Sequence, residues 1–270
     1  MKYCINFTLF VIIAIIPLKL NAASFSAGAS AWYAWGEPSF KNEFMGKNDD
    51  TSSKNKYEAI DDAAMIYGAL FALQITDDLA LGAVFSYGTG WGCKADYMFY
   101  SGTYLHMYRT MDKMQRYEGD LTFNYRLTDM FKLFFGWKYY GFRGDGDYEI
   151  YFEGGSFIGS GTFNIEADST GPGAGLTLKM NLVDNLYLIS TLSGIYMKEK
   201  SVTDIKGYTN ETNKEYYDSA GPNATINFTY VVPETTASLS LGGRYQYLVN
   251  LESHTKNQLY GLMLSAIYSF

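Results

Sequence analysis

The sequence predicts an all-β fold: about ten antiparallel strands closed into a transmembrane up-and-down β-barrel. Three observations carry this. Along the 270-residue chain, apolar and mixed or polar residues alternate with a period of two, the pattern of strands with unlike faces. Short turns alternate with long polar connections. Aromatic residues make up 17% of the chain, high for a soluble core but suited to a barrel ringed by aromatics at two membrane interfaces.

Residues 1–23 read as a cleaved secretory leader, leaving 24–270 as the barrel. Met1-Lys2 opens a thin basic region, Phe7 to Leu18 is an apolar run broken by Pro17, and Asn21-Ala22-Ala23 offers small residues for cleavage. The run is far shorter than the roughly 20 residues of a spanning helix. No second helical span follows, so membrane residence must come from strands. Cleavage removes Lys2, Lys19 and Cys4, making the chain more acidic than its formal charge of −7 and leaving only Cys93. An intrachain disulfide is thereby excluded. The acidic balance also argues against nucleic acid as a partner.

Ten strands can be placed in order. The first, from Ser24 to Trp35, sets Phe25, Ala27, Ala29, Ala31, Tyr33 and Trp35 on one face. The second, from Ala63 to Ile75, is apolar on both faces and ends at the turn signal Thr76-Asp77-Asp78. The third runs from Leu79 to Thr89. The fourth alternates cleanly, with Tyr117, Leu121, Phe123 and Tyr125 against Glu118, Asp120, Asn124 and Arg126. A one-sided soluble sheet gives the same pattern, so the repetition decides. The fifth sets Phe131, Leu133, Phe135, Trp137 and Tyr139 against Lys132 and Lys138, and the sixth sets Leu176, Leu178 and Met180 against Thr177, Lys179 and Asn181. The seventh, from Leu186 to Lys198, has ambiguous facing. The eighth centres on Ile226, Phe228 and Tyr230, the ninth on Leu239, Leu241 and Tyr245, and the tenth closes the chain from Gln258 to Phe270.

The connections supply the topology. Short turns fall at residues 76–78, 128–129, 183–185 and 233–235, and long connections at 36–62, 90–115, 143–171, 199–221 and 249–257. The strand-like pieces 148–152 and 156–167, either side of Gly154-Gly155, are expected to form a hairpin continuing the fifth and sixth strands, which keeps the count at ten.

The tenth strand places Tyr260, Leu262, Leu264, Ala266, Tyr268 and Phe270 on one face. Ending on an aromatic residue, it resembles the terminal strand of bacterial outer-membrane β-barrels. The resemblance implies that this strand closes the barrel and is read by the insertion machinery. It also implies outer-membrane lipid as the surroundings, both termini on the periplasmic side and the long loops outside the cell. The ten-strand architecture, over the whole mature chain, resembles that of omptins, which are surface proteases, and of opacity-type adhesins.

An omptin site would require an Asp pair facing an Asp-His dyad. His106 and His254 are preceded two residues earlier by Tyr104 and Glu252, so neither carries that dyad. Ser253 and His254 are adjacent, and their side chains diverge on a strand. No catalytic residue, metal site or cofactor is expected. The acidic run Asp145-Gly146-Asp147-Tyr148-Glu149 lacks the sixth-position Gly and twelfth-position acid of an EF-hand. In the second long connection Tyr97, Phe99, Tyr100, Tyr104 and Tyr108, with Lys94, Arg109, Lys113 and Arg116 nearby, read as a recognition surface for a host or environmental ligand. Glu118, Asp120, Arg126, Lys132, Lys138, Lys179 and Arg244 read as lumen charges, narrowed by inward Phe134, Tyr140 and Phe142. A ten-strand lumen has little room beyond side chains. The sequence therefore points to a non-enzymatic surface barrel, an adhesin, receptor or envelope structural protein, ahead of a narrow porin and an omptin-like protease.

Overall fold

The computed structural model describes residues 24–37, 56–100, 104–111, 113–208, 210–252, 254 and 256–270. The expected leader lies outside them. Eleven strands form one sheet: β1 (Ser24–Glu37), β2 (Lys56–Gln74), β3 (Leu79–Tyr100), β4 (Tyr104–Met111), β5 (Met114–Arg126), β6 (Phe131–Phe152), β7 (Phe157–Val183), β8 (Leu186–Gly207), β9 (Glu211–Val231), β10 (Ala237–Asn250) and β11 (Lys256–Ser269). Each strand pairs antiparallel with its neighbours, and β1 pairs with both β2 and β11, closing the ring. Both β4 and β5 lie between β3 and β6. They are one stave interrupted between Met111 and Met114, so the barrel has ten staves.

The long connections expected at 90–115, 143–171 and 199–221 are mostly strand. β3 continues to Tyr100, β6 to Phe152 and β8 to Gly207, while β7 starts at Phe157 and β9 at Glu211. The 148–152 and 156–167 pieces form the expected hairpin. Of the connection at 249–257, only residues 251–255 lie between strands, and of 36–62, residues 38–55 lie outside the described residues. One rim therefore carries short turns and the other carries tall hairpins; β7 alone has 27 residues.

Outside, the lower staves carry an apolar band between two aromatic rings. Near the short-turn rim Phe25 lies 6.3 Å from Phe71 and 6.0 Å from Phe270. Higher up, Tyr33 and Trp35 meet edge to face at 4.5 Å, Trp35 stacks on Tyr260 at 6.2 Å, and Tyr87 lies 5.3 Å from Tyr117. From Phe25 to Trp35 is about ten residues, or about 33 Å of strand. A tilt of about 40° reduces this to about 25 Å, the height of the apolar band of a membrane barrel. Leu133, Phe135, Leu192, Leu241 and Leu262 are exposed within it, as lipid-facing side chains must be.

Above the upper ring the alternation changes phase. On β6 the exposed apolar residues up to Tyr139 are all odd-numbered, and Phe134 alone among the apolar residues of that stretch faces inward. From Tyr140 onward the buried apolar residues are even-numbered, Tyr140, Phe142, Tyr148 and Ile150, while Arg143, Asp145, Asp147 and Glu149 are exposed. β7 shows the same reversal: Leu176 and Met180 face lipid, whereas Phe163, Ile165 and Ala167 are buried. Where the outside becomes water, the interior is the only dry place left. On β3 the reversal is made by the backbone. Gly90 and Trp91 both have positive φ, 155° and 48°, and the β2–β3 register slips opposite them between Asp61 and Ala64. Such a bulge shifts the facing by one residue. Gly88 is inward below it, and Trp91, Cys93 and Ala95 are buried above it.

These residues meet in one cluster with Trp32, Ile66, Met107, Met111, Met114, Ile195, Met197 and Leu248. The upper lumen is thus a packed core. Each Ile, Met or Phe in it contributes about 1.5–3 kcal/mol by burial.

Candidate functional site

Beneath the apolar plug lies a layer of buried charge. The side chain of Arg116 is fully buried and that of Glu118 nearly so, and the two form an ion pair. Arg244 reaches the other Glu118 oxygen from the opposite wall, Nη1 to Oε2 at 3.0 Å. Both arginines donate to Gln246 Oε1, at 3.4 Å from Arg116 and 3.2 Å from Arg244. Arg116 also lies over the Phe142 ring at 5.0 Å and Arg244 over Trp32 at 4.3 Å. Lys138 Nζ binds both oxygens of Asp120 at 2.6 and 2.7 Å. Of the charges assigned to the lumen from the sequence, Glu118, Asp120, Lys138 and Arg244 therefore stand in two linked groups. Arg126, Lys132 and Lys179 sit apart near the short-turn rim. Tyr140 and Phe142 form the underside of the plug.

Higher in the interior, three residues past the exposed Tyr196 on β8, the Glu199 side chain is buried between strands. Its cross-strand neighbours are Ser169 on β7 and Tyr217 on β9, while Lys198 and Lys200 point outward. Burial without a cation pushes its carboxyl up to about 7, and the Ser169 hydroxyl only partly offsets this.

The outside of the tall hairpins carries a different site. Tyr108 is exposed, stacks near His106 at 6.3 Å and meets Tyr151 edge to face at 5.5 Å, and Tyr151 meets Phe157 at 5.5 Å. β4–β6 pairing brings them together, His106 opposite Tyr151 and Tyr108 opposite Glu149. Tyr151 donates to Glu149 Oε2 at 2.7 Å, and His106 Nδ1 lies 3.3 Å from Asp96 Oδ1.

Of the rings assigned to this surface, Tyr108 stands in this outer row with Tyr151 and Phe157. Tyr97, Phe99, Tyr100 and Tyr104 belong to the β3–β4 ladder, Tyr97 opposite Met107 and Tyr100 opposite Tyr104, and their side chains lie outside the described residues. The basic set expected beside them divides. Lys94 and Lys113 are exposed, but Arg109 is buried over the Phe163 ring at 5.5 Å, and Arg116 is in the lumen. Arg109 lies on the buried face of β4 with Leu105 and Met107, where the alternation is shifted from that of β5, whereas Arg116 shares the unbroken inward face of β5 with Glu118 and Asp120. Tyr151 and Phe157 escaped the sequence reading because a neighbouring hairpin supplies them. The Asp96–His106 pairing escaped it because β3–β4 register sets it.

The Asp96–His106 pair sits on the outer face of its hairpin, opposite the buried row of Cys93, Ala95 and Met107. The acidic residues of β6 and β7 also line the outside, where Asn164 donates to Asp145 at 2.5 Å and Arg143 approaches Glu166 at 3.8 Å. Among the described residues, no group of three His, Cys, Asp or Glu side chains could hold a metal ion.

Among solved structures the chain is similar to the outer-membrane protease OmpT of Escherichia coli, with 12% identity and a TM-score of 0.53 over 92% of this chain and 96% of that one. The chain has the fold of a bacterial outer-membrane barrel. The CymD monoaromatic hydrocarbon channel aligns with 10% identity and a TM-score of 0.40, covering 92% of this chain and 88% of that one. Neisserial surface protein A aligns with 10% identity and a TM-score of 0.35, covering 92% and 99%. No protein-family model matches the sequence, and no curated protein matches it.

Two stability effects follow. Replacing Glu118 with Gln leaves two buried guanidinium groups without their carboxylate. Unfolding by urea in detergent is expected to show a loss of about 3–5 kcal/mol; unchanged stability would contradict the buried pairing. Glu199 acts through pH. Its folded value, about 7, is above the ordinary 4.5. Its contribution is therefore fully present below pH 4.5 and lost as pH rises through 7. The barrel is expected to lose stability between pH 5 and 8, and Glu199→Gln to flatten that slope and be the more stable form at pH 8. Parallel slopes for the two proteins would refute this.

Proposed function

We propose that this chain is a non-enzymatic barrel of the bacterial outer membrane whose tall hairpins present a recognition surface outside the cell. The short turns then face the periplasm, with both ends of the barrel, and the hairpins face outward, the arrangement general to such barrels. The observation that carries the reading is the division of roles along the staves. The lumen above the membrane is packed with apolar side chains, while on the outside Tyr108 and Phe157 are exposed with Tyr151 half-buried between them.

The plug disfavours a porin, because a solute would have to cross a dry core. The position of Asp96–His106, facing away from the lumen, disfavours a protease. Exposed rings bordered by Asp96 and Glu149 suit the surface of an adhesin or receptor, since rings left in water forgo burial worth about 25 cal/mol per Å² until a partner covers them. Outer-membrane lipid surrounds the band, and the barrel-insertion machinery is the partner for the terminal strand.

The test is adhesion of expressing cells to epithelial monolayers and to matrix proteins. The double variant Tyr108→Ser, Tyr151→Ser is expected to reduce binding at least tenfold while keeping the heat-modifiable gel band of the folded barrel. Undiminished binding by the folded variant would overturn the reading. So would wild-type cells that bind no better than cells lacking the protein.

A further inference from the structure

The lower lumen has a charge that the rest of the molecule does not. The chain is acidic overall, with a formal charge of −7. Yet among the described residues the charges facing inward below the plug are Arg116, Arg126, Lys132, Lys138, Lys179 and Arg244 against Glu118 and Asp120. Both carboxylates are already engaged by Arg116, Arg244 and Lys138.

Near the short-turn rim three cations stand side by side. Arg126 on β5 is directly opposite Lys132 on β6. Lys132 is opposite Thr177 on β7, and Lys179 is the next residue on that face. Like charges directly opposite on adjacent strands destabilise a sheet, and both Arg126 and Lys179 lie close enough to Lys132 to repel it. Among the described residues, only Arg126 of the three has an acid within 4.0 Å, Asp78 of the first turn at 3.0 Å and Asp129 at 4.0 Å. Lys179 lies over the Tyr187 ring at 4.3 Å, and among the described residues Lys132 makes no ion pair.

Other inward walls are uncharged and hydroxyl-rich at this level. Ser26 and Ser269 hydrogen-bond at 2.7 Å, Thr229 and Ser240 at 2.8 Å, and Thr177 and Thr191 at 3.2 Å. The vestibule is therefore lined by polar side chains, with Lys132 and Lys179 exposed near the short-turn rim, bounded above by the buried ion layer and positive on one wall. A low-dielectric wall with one sign of charge concentrates the opposite ion.

We propose that the vestibule is a binding site for a soluble, multiply charged anion of the phosphate type, with Lys132 and Lys179 as its principal ligands and Arg126 at its edge. Lysine ammonium groups serve as point charges for phosphate oxygens, and the guanidinium adds a directional fork. The serine and threonine hydroxyls supply neutral donors around it. This site is independent of the recognition surface: it lies at the opposite rim and needs none of its residues.

The experiment is calorimetric titration of the purified mature barrel, in zwitterionic detergent at constant ionic strength, with inorganic pyrophosphate. Saturable binding is expected, weakened at least tenfold in the variant Lys132→Gln, Lys179→Gln. The folded state of the variant is checked by its heat-modifiable band. If that variant does not fold, Lys132→Gln alone is compared with Lys94→Gln on the outside, and only the former is expected to weaken binding. A second arm replaces pyrophosphate with micelles containing phosphatidylglycerol, to separate a lipid headgroup from a free anion. Absence of saturable binding, equal binding by the folded variants, or binding to the anionic lipid alone would each overturn the proposal.

Discussion

The structure depends on a change of solvent part-way along every tall stave. Between the aromatic rings the outside is lipid, so apolar side chains point out and the lumen is left to polar ones. Above the upper ring the outside is water, and the same hydrophobic effect drives apolar side chains inward. The period stays at two while its phase reverses, at Tyr139-Tyr140 on β6 and through the Gly90-Trp91 bulge on β3. One chain thereby builds a membrane barrel and, continuous with it, a domain that packs like a soluble β-barrel.

Between these two halves the molecule must place a boundary, and the Glu118 layer is that boundary. A lumen lined by hydroxyl and cationic side chains lies below it and the apolar core above it. The two arginines are held by one carboxylate, by Gln246 and by ring faces. A buried pair of this kind adds little to stability compared with apolar packing, but leaving one partner alone is costly. Its value is in position: it fixes facing strands across the lumen at one height, because Arg244 on β10 and Glu118 on β5 reach each other only there. With the lumen closed by the plug above it, the accessible surface of the hairpins is their outer faces.

Much of the barrel was legible. The outward sets of the lipid band, the short turns and the hairpin around Gly154-Gly155 follow from alternation and turn residues. The tall strands were harder, because a stretch such as Arg143 to Ile150 mixes charge and aromatics and reads as a loop when apolar residues are expected outside. Its even positions, Tyr148 and Ile150, continue the row begun at Tyr140 and Phe142, and that reversed alternation was the signal for the plug. The candidate surface was half legible. Tyr108 stands in the expected segment, but Tyr151, Phe157 and the contact of His106 with Asp96 depend on cross-strand register, which no local pattern specifies. Arg109 shows the same limit from the other side, since one residue of phase decides whether a cation meets water or a ring; Arg116 was legible, because it stands two residues before Glu118 on the same face.

Cys93 offers the most direct test of a closed upper lumen. It is the one cysteine of the chain from Ser24 onward, and its side chain is buried in the plug, 1% exposed, opposite Met111 of β4. A membrane-impermeant maleimide, applied to the folded barrel in detergent and to the same protein after heat unfolding, reads the plug at that position. The account predicts labelling at least a hundredfold slower in the folded protein, with full reaction once the gel band shifts on heating. Comparable rates in the two states would mean that water reaches the upper lumen, and the division of the barrel into a wet half and a dry half would be wrong.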